Sequence, residues 1–149
     1  MLEFHLLDEE SIPLITPMEK RLFVEDFWSE QQVNNQLVNP RGLNLGVISS
    51  KGLVGFAFVS YVLDEAELYQ IAILPEVQGC GMATGLLHAL EKKLKTLGVV
   101  RLMLDVRETN IAAVRLYESF GFVLDGRRKG YYSSPQGRED ALLYSYHII

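Results

Sequence analysis

The sequence predicts an α+β fold, a mixed sheet with helices on its faces, and three observations carry that prediction. The predicted elements run β-α-α-β-β-β-α-β-α-β-β, so strands that pair locally alternate with helices that must cover them. Two apolar segments, Leu43–Ser49 and Leu53–Leu63, flank Ser50-Lys51-Gly52, which is the turn chemistry of an antiparallel hairpin. From Gly81 to Leu97, apolar residues recur at helical spacing (Met82, Leu86, Leu87, Leu90, Leu94, Leu97), and Gly98 supplies the stop.

The remaining elements follow in order. Leu2 to Leu7 reads as a first strand. Ser11 and Pro13 then open a helix, because serine caps exposed N–H groups and proline is tolerated in a first turn. A second short helix starts near Ser29 and ends before Pro40. Glu67 to Leu74 is the third strand after the second helix, stopped by Pro75. Val99 to Val106 returns to strand, and Asn110 or Thr109 caps a helix that runs to Phe120 and ends at Gly121. Two last strands, Phe122–Arg128 and Ala141–Ile148, flank a turn-rich stretch from Tyr131 to Asp140.

Composition bounds the function. A chain of 149 residues fits one domain, 1–149, and a domain of that size buries roughly 68–70% of its unfolded surface without a disulfide or metal staple. Fourteen basic against nineteen acidic residues give a net charge of −5, which argues against direct nucleic-acid binding. The only cysteine, Cys80, excludes an intrachain disulfide framework and a multi-cysteine zinc site. His5, His88 and His147 show no ligand spacing, so no metal is expected. The start, MLEFHLLDEE, has no basic region ahead of an apolar stretch, and no run approaches the ~20 apolar residues of a membrane span. A soluble cytoplasmic protein without membrane association is the expectation. The sequence leaves the oligomeric state open.

The most informative segment runs Ile71-Ala72-Ile73-Leu74-Pro75-Glu76-Val77-Gln78-Gly79-Cys80-Gly81-Met82-Ala83-Thr84: a strand, a loop with two glycines, then a helix start. Glycines allow close backbone approach, and a helix start presents unpaired N–H groups with a partial positive charge. Such a turn binds phosphate without a metal. It lacks the GK-Ser/Thr of a Walker loop, and Thr84 stands where a dinucleotide fingerprint needs its third glycine. On these residues alone, a tight strand–helix connection with no ligand is the better reading.

Further motifs accompany it. Gln78-Gly79-Cys80-Gly81-Met82-Ala83 resembles the Q/R-x-x-G-x-G/A signature of GCN5-related N-acetyltransferases. Asn110, Ala113, Leu116-Tyr117 and Gly121-Phe122 resemble the later N-x-x-A-x-x-L-Y-x-x-x-G-F motif of that superfamily. Arg127 to Tyr132 and Gln136 to Ala141 are most similar to the RimI-type branch, the ribosomal-protein-alanine N-acetyltransferases. The resemblance spans nearly the whole chain and implies a mostly antiparallel sheet with helices on both faces.

The resemblance also implies acetyl-CoA as cosubstrate. Ile71, Ala72 and Ile73 would pair with the pantetheine arm. Gln78, Gly79, Cys80, Gly81, Met82, Ala83 and Thr84 would form the pyrophosphate loop, and Asn110 would add a contact. The implied acceptor is the N-terminal peptide of a small ribosomal-subunit protein, beginning with alanine. Two departures stand out. Gly79 and Cys80 occupy positions where relatives often carry basic residues, so phosphate binding rests more on backbone N–H groups. Asp105 occupies the position of the usual glutamate base. The alternatives are another acceptor amine (lysine, polyamine or small molecule) or a non-catalytic acyl-CoA-binding module.

Acetyl transfer needs a neutral amine, a polarised thioester carbonyl and a proton for the departing thiolate. An α-amine, with a pKa of about 7.7–8.0, needs only a modest base. Backbone N–H groups along Ile71–Ile73 suit the carbonyl. Tyr117 is the candidate acid: it lies two helical turns, about 10 Å, beyond Asn110 on one helix face. Packing among Leu116, Phe120 and Phe122 is its competing role. Asp105 shares a strand side with Met103 and Arg107; a pairing with Arg107 would make it a poor base. Glu67 is the rival base. The run Arg127-Arg128-Lys129 is a solvated strand end, a phosphate contact or a support for Tyr131-Tyr132. Those two tyrosines line a peptide groove or pack the sheet edge, and the lone Trp28 is a core residue or an acceptor contact. None of these is assigned to the site.

Overall fold

The computed structural model describes residues 3–149, so Leu2 of the expected first strand lies outside the described residues. The elements are β1 (Glu3–Leu6), α1 (Ile12–Leu22), α2 (Glu30–Val38), β2 (Gly42–Ser49), β3 (Gly52–Val62), β4 (Glu65–Ile73), α3 (Met82–Thr96), β5 (Arg101–Arg107), α4 (Ile111–Phe120), β6 (Val123–Ser134) and β7 (Gly137–His147). Short 3₁₀ turns precede α1 and α3. Element order matches the sequence prediction, and all seven strands join one sheet in the order β1-β2-β3-β4-β5-β7-β6. Every pairing is antiparallel except β4 with β5.

Local chemistry sets the helix ends. Ser29 caps α2 in a capping box with Gln32, and the Asn110 side chain accepts the Ala113 N–H to cap α4. Ser11 does not cap α1. It stands at the N-cap position but is itself helical (φ −82°, ψ −11°), and its hydroxyl makes no capping hydrogen bond. Asp8, extended one turn earlier, accepts the Glu10 N–H at 2.9 Å and starts the run instead.

The stretch expected to be turn-rich, Tyr131 to Asp140, is mostly strand: β6 runs to Ser134 and β7 begins at Gly137. Side chains hold this hairpin where its register shifts between Arg128 and Tyr132. The Gly130 N–H donates to Asp140 Oδ1 at 2.8 Å, and Arg138 Nε donates to the Gly130 carbonyl at 2.6 Å. Gly130 and Ser133 to Gly137 break strand periodicity, which hides the extension from a pattern reading.

Helices cover both faces of the sheet. Phe56 and Phe58 of β3 are fully buried against Ile15 and Met18 of α1 and Val33 and Leu37 of α2. Ala57 and Val59 point the other way, into a larger core with Leu86, Leu87, Leu90 and Leu94 of α3. Burying each phenylalanine contributes roughly 1.5–3 kcal/mol.

One irregularity shapes β4. Phe58 pairs with Gln70 but Val59 pairs with Leu68, leaving Tyr69 as the extra residue of a β-bulge. The bulge reverses which side faces which core. Ala66 and Leu68 pack toward α3 before it; beyond it Ala72 packs toward α1 and α2, and Ile73 toward α3. β4 pairs with β5 only through Glu65–Glu67 and Arg101–Met103, and the two strands then part.

Gln70, just past the bulge, meets Glu19 of α1 in the core, where Glu19 is 0% exposed. Glu19 Oε1 accepts the Trp28 N–H at 2.8 Å and a Gln70 amide N–H at 3.0 Å. Glu19 Oε2 and Gln70 Oε1 lack partners. Burial raises the Glu19 carboxyl above its ordinary value, against the two hydrogen bonds. A proton on Oε2 supplies the donor that the pair of acceptors lacks. A raised folded pKa stabilises the fold fully below the unfolded value, and that stabilisation is lost as pH rises through the folded value. Glu19→Gln carries a permanent N–H donor, so denaturant unfolding should find it more stable than the parent at pH 8, with the gap closing toward pH 5. A gap of the same size at both values would contradict this.

Candidate active site

The parting of β4 and β5 opens a cleft of about 440 Å³. One wall is the β4 segment Ile71-Ala72-Ile73, whose β3 edge is paired while its β5 edge carries no strand partner. Gln78, Gly79 and Gly81 continue the lining, followed by Met82, Ala83 and Thr84 of the first turn of α3. Asn110 closes the opposite side with Ala112, Ala113 and Leu116 of α4. Ten of the eleven residues expected to bind the cosubstrate line this one cleft. Cys80 does not; it is exposed, its Sγ 3.9 Å from the Gln78 carbonyl.

Backbone conformation explains the loop. Gly79 (φ +80°) and Gly81 (φ +77°) adopt left-handed geometry in open surroundings, so their backbone angles, rather than crowding, demand glycine. The Gln78 amide donates to the Ile73 carbonyl at 2.9 Å and ties the loop to the strand end. Gly81 precedes α3 with no side-chain cap, and no acid sits in the first turn. The cleft therefore receives unpaired N–H groups at a positive helix end. Leu22 and Phe23, at the end of α1, add an apolar wall that sequence reasoning missed, because nothing in their local pattern sets them apart from core residues.

A second hollow, of about 310 Å³, lies on the β5 side away from α3. It brings together Glu67 and Asp105, the two candidate bases, with Arg128, Tyr131 and Leu143. Burial raises the Glu67 carboxyl first, the Asp105 charge raises it further, and Arg128 opposes both. Asp105 does not pair with Arg107. The Arg107 guanidinium donates instead to Asp26 at 2.8 and 2.7 Å, to Glu139 at 2.6 Å and to the Ser133 carbonyl at 3.0 Å.

Tyr117 is 6% exposed and packs on Phe122 with ring centroids 5.4 Å apart, so the packing role is real. Unlike Tyr144 and Tyr146, which donate to Glu118 and Glu91, it donates to no carboxylate among the described residues. Burial pushes its phenol up, and Tyr132 adds to the shift. Tyr132 is in turn pushed up to about 12 by burial and then by Asp105. Tyr132 thus lies within electrostatic reach of both candidate catalytic groups, a position the sequence did not reveal. Its only local signal was the Tyr131-Tyr132 pair, and the hairpin that presents it was not legible.

The other undecided residues have clear surroundings. Arg127 pairs with Glu108 and with Asp140 at 2.9 Å, and Arg128 lies 5.3 Å over the Tyr131 ring; neither lines the large cleft. Trp28 stacks on Phe58 at 5.4 Å and reaches Tyr69 at 6.0 Å. Among the described residues, no three His, Cys, Asp or Glu side chains gather as a metal site, and no helix is long and apolar enough to cross a membrane.

Known proteins resemble this chain in sequence and fold. A [ribosomal protein bS18]-alanine N-acetyltransferase of Salmonella typhimurium is 39% identical over 96% of this chain and 95% of its own. One of Haemophilus influenzae is 47% identical over 77% of each. The crystal structure of the ribosomal-protein-S18-alanine N-acetyltransferase from Escherichia coli superposes with a TM-score of 0.92 at 35% identity, over 99% of this chain and 94% of that one. Residues 7–122 match the acetyltransferase (GNAT) family model, a span that holds the bulged β4, its parting from β5 and the glycine loop. With that span matched and the cleft built from it, the chain belongs to the acetyltransferase (GNAT) family and is an N-acetyltransferase.

Proposed function

We propose that this chain uses acetyl-CoA to acetylate the N-terminal alanine of a small-subunit ribosomal protein of the bS18 type, by direct transfer with both substrates bound. The 39% identity to a relative named for that reaction, over 96% of the chain, carries the reading. Residues 1–149 act as one domain, in the cytoplasm, with no nucleic-acid or membrane contact of their own. A net charge of −5 suits an acceptor with a basic start.

Bound acetyl-CoA supplies an activated acetyl thioester. The free edge of Ile71–Ile73 offers N–H and carbonyl groups to the pantetheine amides and N–H groups to the thioester oxygen. The uncapped N–H groups of Met82, Ala83 and Thr84, with the Gln78–Gly81 loop, receive the pyrophosphate. Asn110 contributes from the opposite wall, while Cys80 faces outward and supplies loop backbone. Asp105, through a water, takes one proton from the acceptor amine as its nitrogen bonds to the acetyl carbon. The carbon–sulfur bond breaks, and Tyr117 directs its O–H to the departing sulfur. Glu67 is the alternative base, because burial holds its carboxyl above the ordinary value.

Thiol release should be seen with a peptide bearing the free N-terminal alanine and not with its N-terminally blocked twin. Tyr117→Phe should lower kcat by about 10²-fold or more while the KM for acetyl-CoA stays put. Silence on both peptides, with coenzyme still bound, would replace the reading by another amine acceptor or a non-catalytic acyl-CoA-binding module.

The base is tested separately. Asp105→Asn should remove more activity than Glu67→Gln, by about tenfold at neutral pH. The reverse order would assign the base to Glu67.

A further inference from the structure

We propose that Arg107 is a positioning residue for the acceptor: one guanidinium pins the loop between α1 and α2 and the β6–β7 hairpin to the end of β5, beside Asp105. The inference rests on reading the Asp105 side as the acceptor side. Three segments far apart in sequence meet at this group. Asp26, in the α1–α2 loop, accepts two of its hydrogen bonds, and Glu25 lies at 3.9 Å. Glu139 of β7 and the Ser133 carbonyl of β6 accept two more from Nη1.

Burial firms the hairpin arm of the pin, while the half-exposed Asp26 holds its arm through two parallel hydrogen bonds. The Arg107 side chain is 15% exposed and that of Glu139 is 13% exposed, so this is not a solvated surface pair of little consequence. Hydrogen bonding to Asp26 first, then to Glu139, holds the guanidinium above its ordinary pKa. Among the described residues, no other side-chain hydrogen bond ties Glu25 or Asp26 to β5 or to the hairpin. A flat fork of donors is required to serve both walls at once, and a lysine ammonium lacks it.

The pin also orders chemistry. The guanidinium carbon lies 4.4 Å from the centre of the Tyr132 ring, and Tyr132 in turn feels the Asp105 charge. Arg107 therefore sets the separation of the two walls and the placement of the Tyr132 ring against them. Its side chain does not line the cleft of Ile71–Ile73 and α3, so it makes no direct contribution to the cosubstrate side.

The test combines steady-state kinetics with amide hydrogen exchange on the full chain. Arg107→Lys should raise the KM for the acceptor peptide by about tenfold, with the KM for acetyl-CoA unchanged within about twofold. Exchange should quicken in both 24–28 and 131–139. Asp26→Asn leaves Glu139 and Ser133 on the guanidinium, so exchange should quicken in 24–28 alone, with a smaller rise in acceptor KM. This milder variant carries the test if Arg107→Lys does not fold. Equal rises in both KM values, or a hairpin indifferent to Arg107→Lys, would overturn the proposal. If the parent chain ignores the peptide, the functional reading fails while the exchange pattern still tests the pin. If the peptide is acetylated without the pattern, the pin fails alone.

Discussion

The structure depends on β4 leaving β5 after three paired residues. A parallel pair that continued to the strand ends would satisfy its own backbone and bury the edge of Ile71–Ile73. The extra residue at Tyr69 prevents this, because a bulge bends the strand and raises its local twist. Past that point β4 remains paired to β3 and β5 to β7, so the sheet stays continuous at one end and splits at the other. The split leaves β4 with unpartnered N–H and carbonyl groups facing a cleft, and the Gln78 side chain takes one of those carbonyls. An edge of this kind is a liability on an open surface. Set inside a cleft, it becomes a ready partner for a ligand with amide groups.

The same bulge decides what lies on the other face. It places Gln70 against Glu19 in the core under α1, and that carboxyl also holds the Trp28 backbone at the end of the α1–α2 loop. Trp28 stacks on Phe58, so the far end of the loop is fixed by packing while its middle is fixed by Asp26 on Arg107. The loop therefore depends on strand geometry at both points. Glu67 and Asp105 follow the same logic: they come together because Glu67 sits where β4 still runs beside β5, and Asp105 where it has begun to leave.

Much of this was legible in the sequence because it is written in local chemistry. Gly79 and Gly81 mark left-handed positions, Ser29 and Asn110 mark helix starts, and the α3 stripe marks a buried face. Element order followed from these signals, and with the spaced motifs so did the strand, loop and helix that form the cleft. What stayed hidden rests on distant contacts. The long β6–β7 hairpin is held by Asp140 and Arg138 reaching Gly130, and no period of two announces it. Arg107 was placed on the correct strand side, but its partners Asp26 and Glu139 lie 81 and 32 positions away. Ser11 and Pro13 do mark the opening of α1, but the side-chain cap comes from Asp8 three residues earlier.

Tyr117 shows how packing and chemistry constrain each other at one residue. Its ring is part of the core beside Phe122, and that burial raises the phenol. Handing a proton outright from even an unshifted phenol near 10 to a thiolate near 8.5 is uphill by about 2 kcal/mol. A raised phenol is a still weaker acid, so under the proposed role its contribution lies in the hydrogen bond. The O–H stays protonated throughout the working pH range, and its bond to sulfur strengthens as charge develops when the carbon–sulfur bond breaks. A donor locked in the core has no orientation to find at that moment. Under the proposed role, the burial that makes Tyr117 a poor acid also fixes it as a protonated donor.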